Sequence, residues 1–501
     1  MSTIITKGAM LIPLLVAGCS VMAQYAGKGI SPQNALVAAP GMSYPAADGV
    51  AVLPAKPGHD SSSAHTDHAA GILDEYIREA FSNNKGLKDQ RFQLDKSLAA
   101  LQEAKSLFGP NITFMGNYTK AGGGRTIDMP IGDLLNPVYA SLNQLTNSHQ
   151  FPQVDNVSVL LNPDNFYDAK FRTSLPLINA EIYYNQKIKK EELTRQQAAV
   201  NVYKRQLVQD IKTAYFQYYQ ASQVVAIYRN ALSLIQESIR INESMVRNGV
   251  RNNTALYRSQ TEKEKTDAAI SKALNEQQNA QAYFNFLLNR DLNRDIALDS
   301  SLLVNPPAPL AGSNNISGRE ELQQYKSAAT AYRLNEKLQK AYIIPRLSTF
   351  LDLGSQSTAF RFDDKSRYYL FGVNLEWTLF GSHKYKYRIK QATLDIQAIE
   401  NATAQTTDAL QLQLYQAGNN YRTALRNLTT AESQLSFAQR YYRDQLKVYK
   451  EGQLLYIELV DAQNQLTQAQ LQMAVSQAAV QTAYAGVERA QASYNIESVQ
   501  P

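Results

Sequence analysis

The sequence predicts a mainly α fold with membrane β: an internally duplicated unit of two strands followed by one long α-hairpin. Three observations predict it. There are very long runs without Gly or Pro, four segments alternate with a period of two, and a constant offset of 203 residues superimposes the first long helix and its tip on the second. Only 24 Gly and 17 Pro punctuate 501 residues, so the elements between them run long.

Composition narrows the function classes. Lys+Arg 50 against Asp+Glu 44 gives +6, spread thinly, where a nucleic-acid binder concentrates its basic residues in a stripe. One cysteine excludes a disulfide framework and any cysteine-based metal cluster. Five histidines leave little for a histidine site. No nucleophile elbow, P-loop, dinucleotide fingerprint or HExxH motif is present, so no enzyme and no cofactor is expected.

The amino terminus reads as an address. Lys7 precedes the apolar run from Ala9 to Ala17, too short for a transmembrane helix and suited to a secretory leader. Val16-Ala17-Gly18-Cys19 resembles a lipobox that would make Cys19 the lipidated first residue. Val21-Met22-Ala23 offers ordinary cleavage instead, and both exits stand. Residues 19–70 are Pro-, Ala-, Gly- and Ser-rich, a linker or arm. His59, His65 and His68 fall there; a solvated arm holds no coordination geometry, so no metal site is expected.

Leu73 to Phe108 reads as helix, ending at Gly109-Pro110. Ile112, Phe114 and Tyr118 alternate with polar residues as a first strand. Residues 121 to about 165 read as a polar, Gly/Pro/Asn-rich connection. In the second strand Ala169, Phe171, Thr173, Leu175 and Leu177 lie opposite Lys170, Arg172 and Ser174. Glu181 to Asn248 contains no Gly or Pro, a helix of roughly 100 Å. Gly249 breaks it, and Thr254 to Arg290 runs back.

The pattern then recurs. Arg319 to Tyr342 is helical, Leu347 to Leu353 alternates, and Tyr369, Phe371, Val373, Leu375, Trp377 and Leu379 share one face of a fourth strand. Ser382 to Glu451 is the second long helix, Gly452 ends it, and Gln453 to Ala485 returns. Adding 203 to Gly249 gives Gly452. The first seam runs Leu207, Ile211, Ala214, Tyr218, Ala221, Val225, Tyr228, Leu232, Ile235, Ile239, Asn242, Val246. The same offset maps it onto Leu410, Leu414, Ala417, Tyr421, Ala424, Leu428, Ala431, Leu435, Ala438, Tyr442, Gln445, Tyr449. Both seams step by four and three, the 3.5-residue period of a coiled coil, and both are polar only at Asn242 and Gln445. The chain divides into a signal peptide (1–18), the arm (19–70), a first repeat (71–290), a linker (291–318), a second repeat (319–495) and a tail (496–501).

Strands of about ten residues can cross a bilayer when tilted, but four cannot close a barrel, and an open edge in lipid leaves backbone groups without partners. Other copies of the chain must complete the wall. The helices carry charged residues along their outer faces and belong in water. Strand pairs feeding helical hairpins predict a membrane barrel continued by a helical barrel, a hollow conduit.

The motifs at the junctions carry a family resemblance. Ser174-Leu-Pro-Leu-Ile-Asn-Ala180 and Glu376-Trp-Thr-Leu-Phe-Gly-Ser382 join strand to helix, Asn83-Asn-Lys-Gly-Leu87 precedes the first strand, and Tyr449-Lys-Glu-Gly452 with Leu459-Val-Asp-Ala-Gln463 flank the second hairpin. In this order, from about residue 71 to 495, the chain resembles the TolC-like outer-membrane factors, the outer membrane efflux protein family. The resemblance implies a homotrimer with a 12-stranded β-barrel continued by an α-helical barrel in the periplasm. It also implies a passive exit duct of a tripartite efflux pump or type I secretion system, in the cell outer membrane. Its partners would be a periplasmic adaptor (membrane fusion) protein, an inner-membrane pump and outer-membrane lipid, with no nucleic acid. The alternative is a non-conducting, surface-anchored coiled-coil protein with a structural or adhesive role.

The resemblance places adaptor-contact tips at Arg247, Gly249, Val250, Gly452 and Gln453, where helix C-capping is the plainer reading of the glycines. Glu458 and Asp461, three apart on one helix face, match paired carboxylates lining the periplasmic entrance; carboxylates simply favoured in a first helical turn are the other reading. Tyr449 matches a gate tyrosine. The family's basic gate residue falls on Leu454 and its partner carboxylate on Ala255, so closure would rest on Leu454, Leu455 and Tyr456. Tyr183, Tyr184 and Lys187 after the second strand, Trp377 near the end of the fourth, and Tyr385, Tyr387 and Arg388 after it suit a membrane interface.

Overall fold

Each long helix persists because no backbone breaker interrupts its seam, and each stops where glycine permits a left-handed turn. In the computed structural model the described residues are 71–162, 164–304 and 316–498. The leader, Cys19, the arm with its three histidines and part of the linker lie outside them.

The elements in order are α1 (Ile72–Asn83), α2 (Lys85–Ser106), β1 (Asn111–Thr119), β2 (Thr126–Met129), α3 (Ile131–Thr146), β3 (Val157–Leu160), β4 (Phe166–Ile178), α4 (Ala180–Arg247) and α5 (Thr254–Leu288). Then come α6 (Ser301–Val304), α7 (Glu320–Lys340), a 3₁₀ turn (Ala341–Ile343), β5 (Arg346–Thr358), β6 (Arg367–Glu376), α8 (Lys384–Lys450) and α9 (Tyr456–Gln491). The duplicated order of helix, strand, strand and long hairpin is present. α4 has 68 residues and α8 has 67. No helix among the described residues is long and apolar enough to cross a membrane.

Every seam position of both long helices is buried or half-buried. Along the chain's length α4 packs on α2 and α5 and on α7 and α9, while α8 packs on α7 and α9. The helices therefore lie side by side in the order α2 or α5, α4, α7 or α9, α8. The main core joins Ile77, Phe81, Leu87, Ile211, Tyr215, Phe284 and Leu288; a second cluster near the tips joins Tyr442, Tyr449, Tyr456, Leu459 and Val460.

Three departures from the sequence expectation have local causes. The first helix is two, broken at Asn84, whose backbone is extended while its Oδ1 accepts the Leu87 N–H at 2.9 Å as an N-cap. The Asn84 Nδ2 donates to the Leu287 carbonyl at 2.9 Å, so the break is anchored by a distant helix end. Gly86 lies so close to Tyr203 that an added Cβ would meet its hydroxyl at 1.9 Å. The connection after β1 is not a loop but contains β2, α3 and β3. The linker contains the short helix α6, whose Leu302 carbonyl accepts from Gln481 Nε2 at 2.6 Å.

α7 enters the bundle through a buried ionic cluster. Arg319, 2% exposed, donates to the Arg489 and Ala490 carbonyls at the end of α9 and forks onto both oxygens of Glu321 at 2.9 Å. Arg489 reaches the same carboxylate at 2.6 Å, and Arg205 of α4 pairs with Glu320 at 2.6 Å. Burial alone would raise the Glu321 carboxyl, but the hydrogen bonds from Arg319 and Arg489 outweigh it and hold it at about 2.

Strands β1, β4, β5 and β6 form one antiparallel sheet in that order, so β1 and β6 are its free edges. Phe171 lies opposite Leu353 and Phe114, and Leu353 opposite Tyr369. Pro176 is tolerated in β4 because β1 pairs with β4 only as far as Ser174, leaving that side an edge, and because the β4–β5 register shifts between Pro176 and Ile178.

Candidate functional site

The two faces of the sheet are chemically opposite. One carries Ile112, Phe114, Phe171, Leu353, Tyr369, Phe371, Val373 and Leu375, each more than half exposed. Such a continuous apolar wall is not left to water. The other face carries a tight polar network. Arg172 Nε and Nη2 donate to the two Asp352 oxygens at 2.7 and 2.6 Å. Asp168 accepts from Lys170 Nζ and from the Tyr368 hydroxyl, both at 2.7 Å. Arg172 also lies 5.0 Å from the Phe350 ring. Alternation along the strands creates both faces at once, since neighbouring residues point to opposite sides.

At the far end of the helices the two hairpins turn identically. Gly249 (φ 68°) and Gly452 (φ 77°) are left-handed, and the next N–H of each turn returns to the helix: Val250 to the Met245 carbonyl at 2.9 Å, Gln453 to Val448 at 3.2 Å. Arg247 closes the last turn of α4. Both glycines are thus helix caps, and the capped tips leave Val250 61% exposed.

The gate-region residues divide. Tyr449 is fully buried and donates its hydroxyl to Asn242 Oδ1 on the other hairpin. Burial pushes its phenol up. Asn242 Nδ2 in turn reaches the Ala255 carbonyl at 3.4 Å. Tyr456 is also buried, 5.7 Å from the Tyr449 ring centroid, and burial raises its phenol further. Leu454 is half-buried and Leu455 is exposed. Glu458 and Asp461 are both exposed. Glu458 accepts the Leu455 N–H at 3.1 Å, as a third-position cap does, and Asp461 accepts from Gln465 at 2.7 Å.

One residue was missed. Arg251 lies over the Tyr449 ring at 4.9 Å, donates to the Leu454 carbonyl and reaches the Gly452 carbonyl at 3.4 Å. Arg251 is the repeat counterpart of Leu454, 203 residues away. The basic residue absent from the second repeat is therefore present in the first, and the offset applied to Leu454 would have found it.

The junction residues gather at the boundary between sheet and helices. Lys187 donates to the Tyr183 hydroxyl at 2.6 Å, and Tyr184 packs edge-on to Tyr183. Trp377, 56% exposed, donates to the Ile343 carbonyl at 3.1 Å, and Tyr385 stacks on Tyr342 at 4.1 Å. Tyr387 and Arg388 are exposed. Among the described residues no group of three or more His, Cys, Asp or Glu could hold a metal ion.

Residues 313–493 match the family model described as outer membrane efflux protein. No curated protein matches the chain. Among solved structures, CusC aligns with a TM-score of 0.70 at 16% identity, over 86% of this chain and 95% of that one. The CmeC outer membrane channel of Campylobacter jejuni aligns at 0.66 and 14% identity, over 92% and 97%. The MtrE outer membrane channel of Neisseria gonorrhoeae, in its open state, aligns at 0.65 and 15% identity, over 84% and 88%. At these identities the likeness is one of fold. The second repeat matches the outer membrane efflux protein model, and the chain as a whole shares the fold of the solved outer-membrane channels.

Proposed function

We propose that the chain is the outer-membrane exit duct of a tripartite efflux pump or type I secretion system, a passive, non-enzymatic conduit from the periplasm to the outside. The observation that carries this reading is the two-faced sheet with free edges at β1 and β6. Lipid covers the apolar face, and the polar face lines a water-filled bore. Pairing β6 of one copy with β1 of the next leaves no unpartnered backbone in lipid. Three copies give twelve strands and, with four helices abreast per copy, twelve helices around the continuing bore. The repeats at 71–290 and 319–495 are then its two structural units per protomer.

Tyr183, Tyr184, Lys187, Trp377, Tyr385, Tyr387 and Arg388 sit at the inner headgroup level, where amphipathic rings and basic heads are favoured. The helices stand in the periplasm with their tips toward the pump. The open groove between the tips, about 430 Å³, is lined by Ile241, Met245, Val250, Lys450 and Glu451 and suits an adaptor hairpin. Tyr449, Leu454, Leu455 and Tyr456 form the entrance region, with Glu458 and Asp461 as rings of carboxylates facing the bore.

The purified protein in detergent tests the reading. A trimeric mass and stepwise, voltage-stable current in a planar bilayer are expected. A stable monomer that keeps its sheet overturns it, and a trimer without current favours the non-conducting coiled-coil alternative.

A further inference from the structure

The excursion between β1 and β4 is folded inside out. It lies at the end of the sheet opposite the long helices, because β1 follows α2 and β4 leads into α4. β2 and β3 pair antiparallel at its base, and α3 spans the interval. The polar side of α3 is consumed by its own returning chain. Asn136 exchanges two hydrogen bonds with the Val154 backbone at 3.1 and 2.8 Å, and Asn143 two with the Phe151 backbone at 2.7 and 3.1 Å. Gly132 fits beneath this rung only for lack of a side chain, since a Cβ would stand 2.3 Å from the Val154 carbonyl.

The opposite side of α3 is an uncovered ridge. Leu134, Val138 and Leu145 are 73%, 52% and 83% exposed, and Ser141 lies among them. The steps of four, three and four repeat the 3.5-residue period of the long seams, which is the spacing that meshes with another helix. Nothing charged lies on the ridge.

We propose that α3 packs on the α3 helices of the two neighbouring copies, forming a three-helix cap over the outer mouth of the barrel. The proposal rests on the trimeric reading above. Continuity with the copy-to-copy junction points to a second copy as the occupant. The excursion leaves directly from β1, the free edge at which the next copy pairs, so each copy delivers one ridge to the same end of the barrel. Charge points away from lipid. Residues 121–165 carry Arg125 against Asp128, Asp133, Asp155 and Asp164, one positive and four negative, hence −3. A helix lying in a headgroup layer is instead rimmed with Lys and Arg. The cap makes a second constriction, at the opposite end from the hairpin tips.

Cysteine substitutions on the full chain test it, after light scattering has established the trimer. Mild oxidation should link S141C into covalent dimers while Q144C, about 60° around the same helix from Ser141 and about 90° from the middle of the ridge, links far less. The double variant L134D/L145D should keep its trimeric mass and raise single-channel conductance roughly twofold or more, as repulsion splays the cap. A trimer in which S141C links no better than Q144C, with conductance unchanged in L134D/L145D, overturns the cap and leaves the duct standing. A bimane on S141C quenched by nitroxide lipid in liposomes places the ridge in lipid and overturns it too. A monomeric protein overturns both.

Discussion

Tyr449, near the end of the second long helix, donates its hydroxyl to Asn242, near the end of the first, and both side chains are fully buried. Asn242 is the polar interruption of an otherwise apolar seam. A lone buried amide is costly unless it is satisfied, and here it bonds the second hairpin on one side and the Ala255 carbonyl on the other. It fixes the register of the two tips. Arg251 adds a cationic strap from the first tip to the backbone of the second.

Freeing the second tip should widen the entrance. Y449F removes the bond to Asn242 and R251A the strap, each at about 1–2 kcal/mol. Both variants are expected to conduct more than the parent in a planar bilayer, and the double variant most of all. Conductance unchanged in all three would show that the strap does not hold the entrance.

The carboxylates past that tip make a separate prediction. Replacing Glu458 and Asp461 together by alanine should lower the preference for cations over anions, read as a shift in reversal potential across a salt gradient. E458A should also weaken the start of α9 by about 0.5–1 kcal/mol, because its carboxylate caps the Leu455 N–H. D461A carries no such cost, so ion selectivity that responds only to E458A would argue for capping alone.

Arg172 and Asp352 should respond asymmetrically. Asp352 is 1% exposed whereas the Arg172 side chain is 37% exposed. Removing the arginine strands a buried carboxylate, while removing the aspartate leaves an arginine that can turn toward water. R172A is expected to destabilise more than D352A, with R172A/D352A milder than R172A alone. Unfolding of the barrel on unheated gels across a urea series measures all three. Equal losses would contradict the burial argument.

Acid should loosen α7. The folded Glu321 carboxyl, at about 2, lies below its ordinary 4.5, so its stabilisation is present above pH 4.5 and is lost as pH falls toward 2. The difference corresponds to about 3 kcal/mol at neutral pH. A melting temperature that falls across this window in the parent, and more shallowly in E321Q, is expected. Parallel curves would assign the acid sensitivity to other groups.

Periodicity alone determined the architecture. A seam sustained at 3.5 residues, strands alternating at two and the offset of 203 depend only on which side of an element each residue occupies, and that is written locally. Tertiary structure decided what depends on distant partners. Asn84 breaks a helix because Leu287 and Tyr203 receive it, and Arg251 becomes a strap because the second tip folds beside the first. α3 was hidden for the same reason. Its asparagines and its glycine read as a loop until the returning backbone at Phe151 and Val154 satisfied them, leaving the leucines outside. Hydrogen bonds and close approaches are made between chain positions far apart, so no local pattern records them.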